Sequence, residues 1–238
     1  MNFPLLLAAV VAIGLSAPAL AQRTGSLIGR QAKAGTADAA EYAEGFAKCM
    51  AGRQAKTVRA WMLSLPGSYE ENEILAKLKP DFAACMDNDK LVLEDGGGMR
   101  FTQAGMRQRV GYALARRLLD TAPATSPVAE NMQYWFMPKV QALGPGQPAD
   151  RTALAMHEVT SCVSRKKWPE SLALLRSKSG SPEERDVMQQ LVPVLPTCLP
   201  QGVKLSITRE RLRLYMGEAV YHAISDEHLP VTASASSR

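Results

Sequence analysis

The sequence predicts a mainly all-α protein built from two copies of one disulfide-closed unit of three to four helices, with minor extended segments. Three observations carry this expectation. Cys49 and Cys85 lie 36 positions apart, as do Cys162 and Cys198, and sliding the chain by 113 residues lays one pair on the other. Between the cysteines the two segments share 10 of 37 positions without a gap, among them Ser64/Ser177, Gly67/Gly180, Ser68/Ser181, Glu71/Glu184 and Pro80/Pro193. Unrelated segments of ordinary composition would share about two, and self-similarity at a fixed period is the mark of duplication. Finally, apolar residues recur at helical spacing throughout both segments.

Taken in order, residues 1–21 read as a removed export signal. The apolar stretch from Leu5 to Leu15 is too short to span a bilayer, and Ala19-Leu20-Ala21 has the small-x-small pattern of a cleavage site. Residues 22–36 lack periodicity and are expected to form a mobile segment. The first repeat then occupies residues 37–120. It opens with a helix through Ala39, Ala43, Phe46 and Met50, matched in the second repeat (150–224) by Thr152, Met156, Val159 and Val163, each helix turning its cysteine inward. A second helix runs through Val58, Trp61, Met62 and Leu65, and through Leu172, Leu174 and Leu175. Gly67 and Gly180 end it.

Ser68-x-x-Glu71 and Ser181-x-x-Glu184 are capping boxes that start a third helix, with the serine hydroxyl on the third amide and the glutamate reaching back to the serine amide. A cap accounts for Glu70 and Glu71 better than a catalytic carboxylate pair, because neighbours on a helix point different ways. Pro80 and Pro193 are expected to kink or restart that helix. Short extended runs follow at 91–93 and 204–207. The repeats then resume with an offset of 106 at Phe101-Thr102 and Ile207-Thr208. Thr102 and Thr208 cap a last helix, apolar at Met106, Val110, Ala113, Leu114 and Leu118 and at Leu212, Met216, Ala219, Val220 and Ala223. Gly111 and Gly217 coincide inside it, which points to close helix packing.

Residues 121–149 read as a linker interrupted by Tyr134-Trp135-Phe136-Met137. Such a cluster is best buried in the seam between the repeats, with a partner-binding surface as the sharper alternative. Residues 225–238 form a mobile tail.

Four cysteines in an exported chain imply two disulfides. Of the three pairings, Cys49–Cys85 and Cys162–Cys198 alone let each repeat close before the other is made. Each such loop adds about 4 kcal/mol in the chain-entropy model. With no C-x-x-C pair, the cysteines are structural and not redox or metal ligands.

The net charge of +5 suits an envelope protein or an anionic envelope component as partner, and the basic residues of the last helices are expected to form a solvated face. Nucleic acid is excluded by the compartment and by the lack of an aromatic-basic platform. Arg107 and Arg213 stand apart, since they match on otherwise diverged helices, and each is expected to pin a loop in its repeat. With Tyr134, Trp135 and Phe136 they are the candidate binding residues. Glu218 and His222 share a helical face, but no third metal ligand is evident. No catalytic, cofactor or metal motif is present. Positions shared by the repeats are scaffold. A single site would draw on unshared ones, which leaves the Gly96–Gly98 loop, the aromatic linker and the seam.

The run Cys198, Leu205-Ser206-Ile207, Leu212-Arg213 and Gly217-Glu218-Ala219-Val220-Tyr221 resembles a group of uncharacterised exported, periplasmic helical repeat proteins of alphaproteobacteria, in which a cysteine-bracketed unit ends in a Leu-Arg-Gly step and an Ala-Glu-Ala-Leu-Tyr-like helix. Leu214 replaces the glycine here, and Gly111-Tyr112-Ala113-Leu114-Ala115 lacks the glutamate. The resemblance implies compartment and fold, not an activity. The expectation is therefore a non-enzymatic periplasmic or secreted interaction or ligand-binding protein. The alternative is a cell-envelope enzyme with a site between the repeats, using unshared carboxylates such as Glu94 and Asp95.

Overall fold

The computed structural model describes residues 35–53, 55–86 and 102–225, with side chains from Ala43 onward. The signal segment, the residues before Gly35, the Gly96–Gly98 loop with Glu94 and Asp95, and the tail beyond Ser225 lie outside the described residues. Within them the chain is helical and holds no strand: α1 (Gly35–Gly52), α2 (Ala55–Leu63), α3 (Tyr69–Met86), α4 (Gln103–Leu118), α5 (Met137–Gln141), α6 (Arg151–Lys166), α7 (Trp168–Arg176), α8 (Pro182–Leu191), α9 (Leu195–Cys198) and α10 (Arg209–Ile224). The run at 204–207 is irregular backbone without a strand partner. No described helix is long and apolar enough to cross a membrane.

Helix boundaries follow the local chemistry. Ser181 caps α8 through the Glu184 amide, Thr102 caps α4 through Gly105, and Thr208 caps α10 through Arg211. Gly67 and Gly180 adopt φ of 75° and 80° after α2 and α7, a conformation that costs glycine nothing. The prolines act differently in the two segments. The α3 helix continues through Pro80, whereas after α8 the chain passes into a 3-10 turn at Val192–Val194 before α9. A second proline explains the difference: Pro196 lies three residues after Pro193, so two amides are missing within one turn.

Cys49 is bonded to Cys85 and Cys162 to Cys198. Each bridge ties the first long helix of its segment to the end of the third helical stretch. The apolar side chains of the two segments nevertheless share one main core, with Ala153, Met156 and Tyr215 as a small cluster beside it. Phe46, Trp61 and Phe82 pack in the same cluster as Val159, Leu174 and Met216. Trp61 meets Phe82 edge-on, with ring centroids 5.6 Å apart.

The core is joined where α4 and α10 cross. At the crossing lie Gly111 and Gly217. A Cβ on Gly217 would stand 2.6 Å from the Tyr112 Cα, and one on Gly111 would stand 3.0 Å from the Glu218 Cβ. The two backbones are therefore in contact, as the coincidence of the glycines predicts.

The segment 121–149 is more than a linker. It contains α5, and it is stapled down by Arg165, which donates to the Met132 carbonyl, by Trp168 Nε1, which donates to the Pro123 carbonyl at 2.8 Å, and by Lys139, which reaches Glu70 at 2.7 Å. Composition alone could not show this, since Arg165 and Trp168 hold the segment by its backbone carbonyls. Phe136 is buried, Tyr134 stacks on it at 5.7 Å, and the Arg165 guanidinium lies 4.5 Å over the Tyr134 ring.

Gly217→Ala should lower the melting temperature markedly, because its Cβ meets backbone and overpacking of this kind costs about 1–3 kcal/mol. Gly111→Ala, facing a side chain that can shift, should cost less. Thermal denaturation of the two variants followed by circular dichroism ranks them; equal effects would mean that the helices do not cross at these glycines.

Candidate functional site: a charge cluster and cleft at the seam

Four residues before each crossing glycine stands a buried arginine. Arg107 reaches from α4 into the loop that closes α2. Its Nη1 donates to Glu71 Oε1 at 3.0 Å and to the Trp61 carbonyl at 2.8 Å, its Nη2 donates to the Met62 carbonyl, and its Nε donates to Glu218 Oε1 on α10 at 2.8 Å. Arg213 does the corresponding work from α10. It donates to Glu184 Oε1 at 2.9 Å, to the Ser177 hydroxyl at 3.1 Å, to the Ser177 carbonyl, and across the seam to the Tyr112 hydroxyl at 2.7 Å. Both arginines pin a loop, as their matched positions imply. They are exposed by only 2% and 5%, so the expected solvated basic face does not include them. Arg109, by contrast, is a surface residue paired with Glu210 at 2.7 Å.

The glutamates depart from the expected capping box. Ser68 and Ser181 do cap the amides of Glu71 and Glu184. The carboxylates turn instead to the glycine amides, Gly67 N to Glu71 Oε2 and Gly180 N to Glu184 Oε2, both at 2.7 Å, and to the arginines. The serine amides are already taken, by the Leu65 and Lys178 carbonyls, and a buried guanidinium at 3 Å offers each carboxylate a charge-assisted bond instead. Glu71 also accepts from Trp61 Nε1 at 3.0 Å and from Gln103 Nε2 at 2.9 Å, so its acceptors are in use.

The two clusters differ in one place. Glu218 stands where an offset of 106 puts Tyr112, and it brings a second carboxylate to Arg107. Around it gather other unshared residues. His157 Nε2 is 3.8 Å from Glu218 Oε2, and His222 Nε2 is 3.6 Å from Glu218 Oε1. Trp135 stacks on His222 at 4.0 Å and meets His157 edge-on at 5.7 Å, while its ring lies 5.8 Å from the Arg107 guanidinium carbon. The aromatic linker thus covers the seam, the placement expected from its size. Tyr215 closes the other side of His157 at 5.0 Å.

A cleft of ≈ 130 Å³ opens beside this cluster, lined among others by Gly67, Ala104, Arg107, Asp150, His157 and Tyr215. Asp150 caps α6 through the Ala153 amide at 2.9 Å, and its own amide donates to the Pro66 carbonyl at 2.7 Å. It packs so close to Gly67 that a Cβ there would come within 2.7 Å of the Asp150 nitrogen. The end of the linker thereby shapes one wall.

Burial disfavours charge on Glu218, but Arg107, with help from His157 and His222, outweighs it and holds the carboxyl down to about 2. Burial pushes His157 down to about 4, reinforced by Arg107 and only partly opposed by Glu218. Burial raises Tyr215 to about 12. At neutral pH the cluster therefore holds an ionised Glu218, a neutral His157 and a protonated Tyr215. His157 Nδ1 and Glu218 Oε2 are buried without a protein hydrogen-bond partner. The geometry adds His157 to the Glu218–His222 pair, but Arg107 already supplies the cation at 2.8 Å, and among the described residues no group of three or more ligands could hold a metal ion.

Of the candidate binding residues, Arg107, Trp135 and Phe136 come together at this seam. Tyr134 stacks outside Phe136, and Arg213 serves the neighbouring cluster. Sequence reasoning missed His157, Tyr215 and Asp150. The available signal was that Glu218 and His157 replace Tyr112 and Glu44 in the internal alignment. The chain matches no protein-family model, no curated protein and no solved structure.

Two measurements probe the cluster. Arg107→Met leaves Glu71 and Glu218 without their cation and should cost on the order of 3–5 kcal/mol in chemical denaturation, while Glu218→Gln, which keeps the Arg107–Glu71 pair, should cost much less. The pH dependence follows from the two depressed values. His157 binds a proton more readily when unfolded, so its contribution is present above pH 6.5 and is lost as pH falls toward 4, about 3 kcal/mol in all; Glu218 adds a further loss between 4.5 and 2. The denaturation midpoint of His157→Gln should vary less between pH 7 and 4.5 than that of the wild type, and parallel curves would show that His157 does not titrate in this window.

Proposed function

We propose that the chain is an exported, non-enzymatic binding protein of the periplasm or extracellular space, formed by duplication of a disulfide-closed helical unit, and that it holds a small molecule in the cleft beside Arg107. Export is supported by the apolar leader with its small-x-small end, by the two disulfides and by the resemblance to exported alphaproteobacterial proteins. Duplication is supported by the shared positions and by helix boundaries that repeat at the same offsets: α7 begins and ends 113 residues after α2, and α10 begins and ends 106 residues after α4. The repeats comprise residues 37–120 and 150–224.

The observation that carries the binding reading is the concentration of unshared residues, His157, Glu218, His222 and Trp135, on the one side of the seam where the cleft lies. Of these, His157 lines the concave, partly polar cleft beside the shared Gly67, Glu71 and Arg107, and Glu218 and Trp135 lie against His157. The charge states favour binding over acid–base chemistry. An imidazole near 4 is a poor base at neutral pH, and a carboxyl near 2 is a poorer one.

Ala104→Leu fills the cleft without touching a charge. Protein purified from the periplasm should carry a small-molecule adduct in native mass spectra, and the Ala104→Leu variant should lose it while keeping its circular dichroism spectrum. Wild-type protein free of adduct but co-purifying with a second protein would replace this reading with a protein-interaction one.

A further inference from the structure

Resting on the binding reading, the chemistry of the cleft can be taken one step further, to the class of ligand. One wall is a face of α4, where Ala104 and Gln108 stand one turn apart beside Gln103 and Arg107. Most of the polar groups around the cleft are committed to the protein. Gln103 Nε2 donates to Glu71 Oε2 at 2.9 Å and to Asn72 Oδ1 at 3.3 Å. Arg107 spends its donors on Glu71, on Glu218 and on the Trp61 and Met62 carbonyls. Asp150 Oδ1 caps α6, and His157 Nδ1 is sealed in the interior.

Gln108 is the exception. It lines the cleft and is only 9% exposed, yet its carboxamide makes no hydrogen bond to any described residue. Unlike His157 Nδ1, its oxygen and nitrogen are not sealed from solvent. Polar groups on a side chain this deeply buried normally find partners within the protein, so this carboxamide faces whatever enters the cleft. The position is also an unshared one. At the offset of 106 its counterpart is Leu214, so the second half builds the same turn of helix without an amide.

The hydrogen-bond pattern sets the ligand class. A carboxamide presents an acceptor oxygen and an N–H donor side by side, whichever way it is turned. An ammonium or amidinium ion brings donors alone and a carboxylate acceptors alone, so each leaves half of Gln108 unmatched. A second carboxamide matches both halves with two parallel hydrogen bonds. A carboxylate would also meet Asp150 and Glu71 on the cleft wall, with Arg107 already engaged. Size sets the last limit. A cavity of about 150 Å³ takes up benzene, so a cleft of ≈ 130 Å³ suits a molecule of about six non-hydrogen atoms or fewer.

We propose that the cleft beside Arg107 binds a small uncharged carboxamide, paired to the Gln108 carboxamide by two hydrogen bonds, with its hydrocarbon part against Tyr215, Pro66 and Ala104.

Four probes of one shape test this: propanamide, butanone, propanamidinium and propanoate, which differ only in the donors, acceptors and charge at one end. Each is titrated into the full-length mature protein at pH 7.5, and binding is followed by NMR through the backbone amide shifts of residues 103–108. Propanamide should bind tightest and should also move the Gln108 side-chain amide resonances. Butanone and propanamidinium should be weaker by about tenfold or more, as one half of Gln108 is left unmatched, and propanoate should not bind detectably. Gln108→Leu, which installs the residue found at position 214, should bring propanamide to within about twofold of butanone. Ala104→Leu, which remains informative if Gln108→Leu does not fold, should abolish binding of both. Butanone, propanamidinium or propanoate binding the wild type as tightly as propanamide would overturn the carboxamide assignment while leaving the cleft a binding site. So would a folded Gln108→Leu that still prefers propanamide tenfold. A wild type that binds none of the four, yet retains an adduct in native mass spectra that Ala104→Leu removes, would likewise leave the binding reading standing and end the carboxamide one.

Discussion

The backbone contact between α4 and α10 is the constraint from which the rest of the structure follows. Two helices touch at their backbones only where neither carries a Cβ, and Gly111 and Gly217 meet that condition. Close approach then dictates what the flanking residues can do. The residue after each glycine, Tyr112 or Glu218, is driven against the opposite helix. The residue one turn before, Arg107 or Arg213, is driven beneath it and left almost wholly buried. A buried guanidinium must be satisfied in full, and each finds its partners in the loop that closes the second helix of its own half. Helix crossing, loop conformation and the cross-seam hydrogen bond are thus one linked arrangement.

That arrangement explains why expensive residues occupy the core. A well-packed apolar substitute for a buried ion pair is often no less stable, so burial energy alone gives little reason for Arg107 or Arg213. What each provides is direction. Five donors on a planar group hold the Trp61–Met62 and Ser177 carbonyls, the neighbouring carboxylate and the partner helix in fixed relation. The glutamates extend the same function, since each also accepts the amide of the left-handed glycine, Gly67 or Gly180. The disulfides tie the outer helices of each half, while the arginines tie the halves to each other.

Much of this was legible in the sequence, and the limits have physical causes. Helix spans, caps, the cysteine pairing, the crossing glycines and the loop-pinning arginines follow from spacing and local chemistry, each of which acts within a few residues or repeats at a fixed offset. The exchange of partners by Glu71 and Glu184 was not legible, because a capping box and a salt bridge make the same demand on sequence, and only the position of the distant arginine decides between them. The α5 turn and the stapled linker escaped for a related reason: the groups by which Arg165 and Trp168 hold residues 121–149 are carbonyls, which every residue has. His157 and Asp150 are distant from Arg107 in the chain and come to the cleft through the packing of α6, which no periodicity in α4 foretells. Pro80 and Pro193 show the converse case, in which matched residues gave unlike backbones because Pro196 has no counterpart in the first half.

The site owes its character to a single departure from correspondence. Had a tyrosine stood at position 218, as it does at 112, both clusters would be neutral and each would consume its hydrogen bonds internally. A glutamate there does two things together. It gives Arg107 a second anionic partner at 2.8 Å, and it sets a carboxylate between His157 and His222, 3.8 and 3.6 Å away. Stability does not require any of these, because the Arg213 cluster holds its half of the seam without them. Position 218 is thus where the chemistry of the two clusters parts, a buried carboxylate on one side of the crossing and a phenol hydroxyl on the other.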